Sequence, residues 1–114
     1  MDTKEIANLA QSAIIQYDTL LEKTTEPDWL NLSSNERDLY CKAVNSVQSN
    51  TTPNEFHSFW FLYKKSSGWR RGFIYNSSMM THPDLFPYND LPKDIQLRVK
   101  LVLSIIKTLK FSSP

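Results

Sequence analysis

Apolar side chains recur at steps of three and four residues along the first part of the chain, which is the spacing of a helix with one buried face. The pattern predicts a helix from about Lys4 to Lys23, after which the polar run TTEPD ends it. The face expected to be buried comprises Ile6, Leu9, Ala10, Ala13, Tyr17, Leu20 and Leu21.

A second helix is predicted by Ser33 and Glu36, whose three-residue spacing is that of a capping box. This helix should end near Asn50. Its apolar positions again follow the helical period, and the face expected to be buried comprises Leu39, Tyr40, Ala43, Val44 and Val47.

The third helix has the clearest start signal in the chain. Thr52 can act as the N-cap, Pro53 fits the first turn, and Glu55 is placed to complete a capping box. The helix should run to about Ser66, with Gly68 ending it.

The stretch after the third helix predicts irregular or extended structure. The run WRRGFIY, from Trp69 to Tyr75, is aromatic and β-branched, which is compatible with a short strand or an extended loop. The run THPDLFPYNDLP follows from Thr81 to Pro92 and is called the Pro-rich segment below. Its three prolines fix their own φ angles and push the preceding residues toward extended geometry, so the segment should be stiff.

A fourth helix should begin at Leu91 or Pro92, with Asp90 as its cap. Its apolar stripe comprises Ile95, Val99, Val102, Ile106 and Leu109. The 114 residues therefore predict a single, mainly α domain spanning 1–114, because a chain of this length builds one core. The expected architecture is about four helices, with an extended or short β-like segment and a rigid Pro-rich loop between the third and fourth.

The composition indicates the cellular compartment of the protein and argues against some kinds of site. Cys41 is the only cysteine, so an internal disulfide is impossible and a reducing compartment is favoured. With two histidines it leaves too few ligands for a structural zinc site, and we expect no metal and no cofactor. The N-terminus MDTKEIANLA lacks the pattern of a signal peptide, and charges interrupt the longest apolar region, Ile95 to Phe111. We therefore expect no membrane partner and a cytoplasmic protein.

The charge is unevenly distributed along the chain. Residues 56–83 contain four basic residues and no acidic residue, so this stretch should attract an anion. Among the basic residues, Lys64, Arg70 and Arg71 are candidates for binding a phosphate, and the guanidinium groups can bond two oxygens at once. The alternative is a solvated basic surface.

Two tryptophans and two histidines complete the residue-based candidates. Trp60 and Trp69 could stack on a planar base, whereas the alternative is that they belong to the core. His57 and His82 could bond a ligand, although a histidine before proline is more often a buried structural donor. Cys41 has no histidine nearby in the sequence and no carboxylate pair shares a helix face, so we expect no catalytic residue and no enzyme.

The runs WLNLSSNER, NEFHSFWFLYKKSSGW and THPDLFPYNDLPKD, in this order, resemble the ryanodine-receptor repeat family. The resemblance covers roughly Trp29 to Leu109, which leaves 1–25 as an additional N-terminal helix. The small members of the family occur as single domains in bacteria and phages. The positions that match the family's motifs are His57, Trp60, Lys64, Gly68, Trp69, His82, Pro83 and Tyr88.

The resemblance implies a function as well as a fold. It implies a non-enzymatic domain that binds a small anionic ligand, a nucleotide or nucleotide-derived signal, between the third helix and the Pro-rich segment. In a bacterium or phage such a domain would sense or sequester that signal, for instance in phage–host conflict, where the host cytoplasm is the site of action. The open alternative is a protein-interaction or homo-oligomerisation module that uses the same Trp- and Pro-rich surface. Nucleic acid is not an expected partner, because four clustered cations are few and the first half of the chain is acidic.

Overall fold

A computed structural model describes residues 1–112, so the last two residues of the predicted 1–114 domain lie outside the described part of the chain. Within it the fold is mainly helical, which confirms the predicted fold class. The structure contains two short 3-10 turns, Trp29–Asn31 and Tyr88–Asp90, in addition to its α-helices and strands. The α-helices and strands of residues 1–112 are α1 (Thr3–Leu20), α2 (Ser34–Ser46), α3 (Pro53–Ser66), β1 (Arg70–Arg71), β2 (Thr81–His82) and α4 (Lys93–Phe111).

The capping signal of α2 is correctly placed, but the helix ends earlier than predicted. The Ser33 hydroxyl accepts a hydrogen bond from the Glu36 backbone N–H at 3.2 Å. After Ser46 the chain turns extended, and a tight turn follows in which the Gln48 backbone N–H donates to the Thr51 hydroxyl at 2.8 Å. This turn uses the residues that were predicted to form the last turn of α2, and it leads directly to the N-cap of α3.

Helix α3 has the predicted bounds. Its capping box is complete, since Thr52 accepts from the Glu55 backbone N–H at 3.2 Å and Glu55 accepts from the Thr52 backbone N–H at 2.9 Å. Gly68 follows the helix with φ +95°, a left-handed conformation that favours glycine. The chain therefore leaves α3 by a sharp turn that places Trp69 and β1 beside the Pro-rich segment.

The two strands pair in parallel, with Arg70 opposite Thr81 and Arg71 opposite His82. The Gly72 backbone N–H donates to the His82 carbonyl at 3.3 Å. Gly72 also lies so close to β2 that an added Cβ would be 2.7 Å from the Thr81 Cβ. This small sheet fixes the start of the Pro-rich segment against the end of α3.

The prediction that Asp90 caps α4 is wrong. Asp90 closes a 3-10 turn, Tyr88–Asp90, in which its backbone N–H donates to the Pro87 carbonyl at 2.9 Å. Leu91 precedes a proline and is extended, because a residue in that position avoids helical geometry. Pro92 is the N-cap instead, and α4 begins at Lys93, two residues after Leu91.

The main core lies where α1, α2 and α4 pack together. Both α2 and α4 bury the stripes predicted for them, apart from the half-buried Leu109. The stripe of α1 was partly wrong, because Leu9, Leu20 and Leu21 are exposed while two polar side chains of α1 are buried. The residues of this core are Ile6, Ala7, Ala10, Trp29, Leu32, Tyr40, Val44, Val47, Val102, Leu103 and Ile106.

Candidate ligand-binding cavity

A cavity of about 340 Å³, called the main cavity below, lies between the four helices and the Pro-rich segment. Phe73, which follows β1, contributes to its wall although the Phe73 side chain is fully exposed, so this residue stands at the rim. Most of the inner wall is apolar and comes from all four helices: Ala10, Ile14, Ala43, Val44, Phe56, Trp60, Ile95, Val99, Val102 and Ile106.

One polar group in the cavity wall is an ion-pair triad centred on Arg98. This arginine lies on the buried face of α4, and its guanidinium donates to Asp18 Oδ1 at 2.9 Å and to Asp84 Oδ2 at 2.7 Å. Asp18 comes from α1 and Asp84 from the Pro-rich segment, and the other oxygen of Asp18 accepts from the Thr25 hydroxyl at 3.1 Å. The triad therefore links the first helix, the last helix and the Pro-rich segment around the cavity.

The second polar group in the wall is centred on Glu26. Its carboxylate accepts hydrogen bonds from His82 Nε2 at 2.9 Å and from the Tyr40 hydroxyl. Burial alone would raise the pKa of Glu26, but the contacts with His82 and Tyr40 and the charge of Lys64 outweigh burial and lower this pKa to about 2. Glu26 is therefore an ionised, buried acceptor at neutral pH.

The hydrogen bonds of His82 define which ring nitrogen carries a hydrogen. Nδ1 accepts from the Asp84 backbone N–H at 3.1 Å, so the hydrogen on Nε2 is the one donated to Glu26. The imidazole also meets Trp60 edge-on, with 4.9 Å between the ring centroids. His82 thus orients the Glu26 carboxylate and one aromatic side of the cavity together.

His57 closes the cavity on the α3 side. Its Nε2 lies 2.7 Å from the Phe86 carbonyl oxygen, and since a carbonyl only accepts, Nε2 carries the hydrogen. Burial lowers the pKa of His57 below its ordinary value, which favours the neutral imidazole at pH 7. The ring packs against Trp60 at 5.4 Å and Tyr88 at 6.3 Å between centroids. His57 therefore fastens the Pro-rich segment to α3.

Lys64 and Trp69 belong to a second depression of about 360 Å³ on another side of α3. The Lys64 Nζ lies 3.6 Å from the Trp69 ring centroid and 3.8 Å from Glu36 Oε2. The same Glu36 oxygen accepts from the Tyr75 hydroxyl at 2.6 Å. Burial lowers the pKa of Lys64, while Glu26 and Glu36 act in the opposite direction. The ammonium group is thus already engaged by a carboxylate and an aromatic face.

The remaining candidates lie apart from both cavities. Arg70 and Arg71 are exposed on β1, where the Arg71 guanidinium lies 4.6 Å from the Phe86 ring centroid. Tyr88 is buried, and its hydroxyl has no hydrogen-bond partner among residues 1–112.

The structure distributes the eight predicted site residues over three places. Three of them line the main cavity, two line the second depression, and three line neither. In that order they are His57, Trp60 and His82; Lys64 and Trp69; and Arg70, Arg71 and Tyr88.

The polar residues of the main cavity were largely missed by the sequence reasoning. Arg98 carried a usable signal, because it falls on the apolar stripe of α4, between Ile95 and Val102, where a charge needs a buried partner. Asp18 carried a similar but weaker signal at the end of α1. Glu26 and Asp84 lie in irregular stretches without a periodic pattern, so nothing in the sequence indicates where their side chains point.

Comparison with protein-family models, curated proteins and solved structures gives no match to this chain. In residues 1–112 the structure has no helix that is both long and apolar enough to cross a membrane. Within the same residues, no group of three or more His, Cys, Asp or Glu side chains is arranged to hold a metal ion.

Proposed function

We propose that this protein is a non-enzymatic domain that binds a small ligand, a nucleotide or nucleotide-derived molecule, in the main cavity. The observation that carries the proposal is the largely apolar wall of this cavity, which comes from all four helices and surrounds about 340 Å³. Small-molecule sites are typically concave, about 300 to 1,000 Å³ in volume, mostly apolar and equipped with a few oriented polar groups. This cavity has that composition, with apolar walls from four helices and two oriented polar clusters.

The position of the cavity agrees with the expectation drawn from the ryanodine-receptor repeats. Its wall includes His57 and Trp60 of α3 and His82 of the Pro-rich segment, which are three of the residues that carry the resemblance. Hydrogen bonds hold each of the two histidines in one orientation, so this part of the wall is formed before a ligand arrives. These three residues support the proposal that a ligand binds here, between α3 and the Pro-rich segment.

The proposal includes a role for the domain in the cell. In a bacterium, or in the cytoplasm of a host infected by a phage that encodes it, a small domain of this kind would sense or sequester a signalling nucleotide. The half-buried Cys41, alone in the sequence, is consistent with a reducing compartment. Nothing in this role needs a catalytic residue.

A protein-interaction or homo-oligomerisation module is the second candidate function. It is favoured by three exposed apolar side chains in the segment between β1 and β2, Phe73, Ile74 and Met79. Exposed apolar surface is common at interaction sites. A partner bound there would also cover the rim of the cavity at Phe73. Variants inside the cavity and variants at its rim therefore distinguish ligand binding from partner binding.

The test pairs a variant that fills the cavity with one that does not. Ile14 lines the cavity whereas its neighbour Ile15 does not, and both are half-buried on α1. Ile14→Trp should abolish the thermal stabilisation by a nucleoside or nucleotide, while Ile15→Trp should retain it. For wild type, a ligand at about 100 times its dissociation constant should add about 2.7 kcal/mol of stability.

A second pair probes the rim without touching the core. Phe73→Ala should leave the melting temperature unchanged and weaken the ligand, whereas Ile74→Ala should change neither, because Ile74 is exposed but does not line the cavity. If no nucleoside, mononucleotide, dinucleotide or cyclic nucleotide stabilises wild type, the ligand-binding function is wrong. A concentration-dependent change of mass that Phe73→Ala abolishes would then support the interaction module.

A further inference from the structure

The charges that line the main cavity are mostly negative. Its wall contains the carboxylates of Asp18, Glu26 and Asp84, all from buried residues, and the cationic groups of only two residues, Lys23 and Arg98. A nucleotide that entered with its phosphates first would therefore place its charge among carboxylates. The enclosed part of the cavity is unsuited to an anion.

Both cations are already engaged by carboxylates. The two arms of the Arg98 guanidinium bond Asp18 and Asp84 at 2.9 and 2.7 Å. Lys23 is exposed at the rim, with its Nζ 3.0 Å from Asp94 Oδ2. Burying a charge is costly unless it gains a partner, and a phosphate here would have to take Arg98 away from its own buried partners.

The histidines offer a phosphate no further help. The Nε2–H of His82 is donated to Glu26, and the Nε2–H of His57 is donated to the Phe86 carbonyl. Their other ring nitrogens are acceptors in these tautomers. The oriented donors of the wall are thus used within the protein.

Acceptors, in contrast, remain available in the wall. Asp84 Oδ1 takes no hydrogen bond from any of residues 1–112, although Asp84 Oδ2 is paired with Arg98. A carboxylate offers about four acceptor positions, and Glu26 uses three of them, for His82, for Tyr40 and for a long 3.5 Å hydrogen bond from the Gln11 amide, which leaves one. A ligand edge with N–H groups would complete these carboxylates.

We propose that the cavity takes the uncharged heterocycle of its ligand, recognising N–H donors on the ring edge through the carboxylates of Glu26 and Asp84, and leaves any phosphate outside. This inference rests on the proposed function and adds the class of ligand and its direction of entry. The protein would then recognise the nucleoside part of its ligand. The apolar walls would contact the faces of the ring, and the rim residue Phe73 would lie over the exposed end.

The experiment is calorimetric titration of the intact protein with adenosine, cytidine, guanosine and uridine and with the 5′-mono- and triphosphate of each. A nucleoside that binds should do so within about threefold of its own phosphates, because the phosphate gains no buried contact. Raising the salt from about 50 to about 500 mM should leave the dissociation constants nearly unchanged, since no exposed charge pair is formed. A triphosphate that binds tenfold or more tightly than its nucleoside, with steep salt dependence, would leave the proposed function standing and overturn this inference.

Two further measurements separate the parts of the proposal. An analogue of the bound nucleoside whose N–H groups are methylated should bind about tenfold or more weakly, because buried carboxylate oxygens are left without donors. Arg70→Glu and Arg71→Glu, which change exposed residues outside the cavity, should keep wild-type affinity for nucleoside and monophosphate alike. Equal affinity for the methylated analogue, or loss of binding in the arginine variants, contradicts the inference. If no compound in the panel binds, the proposed function itself fails, and the inference with it.

Discussion

Replacing Arg98 by Met tests whether the ion-pair triad holds the fold together around the cavity. Arg98 is 8% exposed, and its guanidinium donates to two buried carboxylates, Asp18 and Asp84. Met keeps the helix propensity and much of the side-chain volume of Arg, so the main change is the loss of the charge. Each hydrogen bond to a charged group contributes about 1.5–3 kcal/mol, and breaking a buried ion pair from one side costs about 3–5 kcal/mol. We therefore expect Arg98→Met to lower the free energy of unfolding by about 3–5 kcal/mol, a large part of the 5–15 kcal/mol typical of a domain.

The assay is equilibrium unfolding in urea at pH 7, followed by circular dichroism. Lys100→Met is the matched control, because Lys100 lies on the same helix and is exposed, and it should change the unfolding free energy by less than about 0.5 kcal/mol. A triple variant that adds Asp18→Asn and Asp84→Asn to Arg98→Met should recover part of the loss, since no unpaired charge stays buried. A loss below about 1 kcal/mol for Arg98→Met, the value of a surface pair, would refute the reasoning and mean that water in the cavity solvates both carboxylates.

Three further predictions concern stability. Glu26 has a folded-state pKa of about 2, below its ordinary 4.5. Its ionised form therefore contributes stability that is present above pH 4.5 and is lost as the pH falls toward 2. Unfolding free energies measured from about pH 6 to about pH 3 should fall less steeply in Glu26→Gln than in wild type. Leu85→Ala should cost about 2–5 kcal/mol, because Leu85 is buried in the Pro-rich segment, and an unchanged melting temperature would make that segment peripheral. Gly72→Ala should cost about 1–3 kcal/mol by forcing the new Cβ against Thr81, and calorimetry that finds wild-type stability would show that the strands can separate freely.

The features predicted most accurately from the sequence are helix ends that depend on interactions between neighbouring residues. The bounds of helix α3 agree with the prediction, because Thr52, Pro53 and Glu55 form its start and Gly68 permits the left-handed turn after its end. The face of α1 could not be read in the same way, since a hydropathy pattern counts every apolar side chain as inward and every polar one as outward. Gln11 is fully buried because its amide donates to the Pro27 carbonyl at 2.8 Å, a partner sixteen residues away.

In the candidate site, too, local signals could be read from the sequence, whereas contacts between distant residues could not. His57 and Trp60 lie on the predicted helix α3 and both line the main cavity, whereas Lys64 lies on the same helix and lines the second depression. Lys64 and Arg71 belong to the same basic stretch of sequence, yet one is buried beside Trp69 and the other is exposed. Gly68 turns the chain after α3, and the pairing of β1 with β2 leaves Arg71 exposed, while Lys64 stays on α3 beside Glu36; neither the pairing nor the Glu36 contact could be read from the sequence.

The contacts of the Pro-rich segment also fix how many residues it can contain. Within five residues, the His82 side chain meets Glu26, the Asp84 side chain meets α4, and the Phe86 carbonyl meets α3. Inserting or deleting one residue here would shift at least one of these groups away from its partner and so break a hydrogen bond that holds the segment in place. The exposed turn at 77–79, between the paired residues Asn76 and Thr81, carries no such constraint. Length variation in this domain should therefore be tolerated in that turn and excluded from the five residues that follow Thr81.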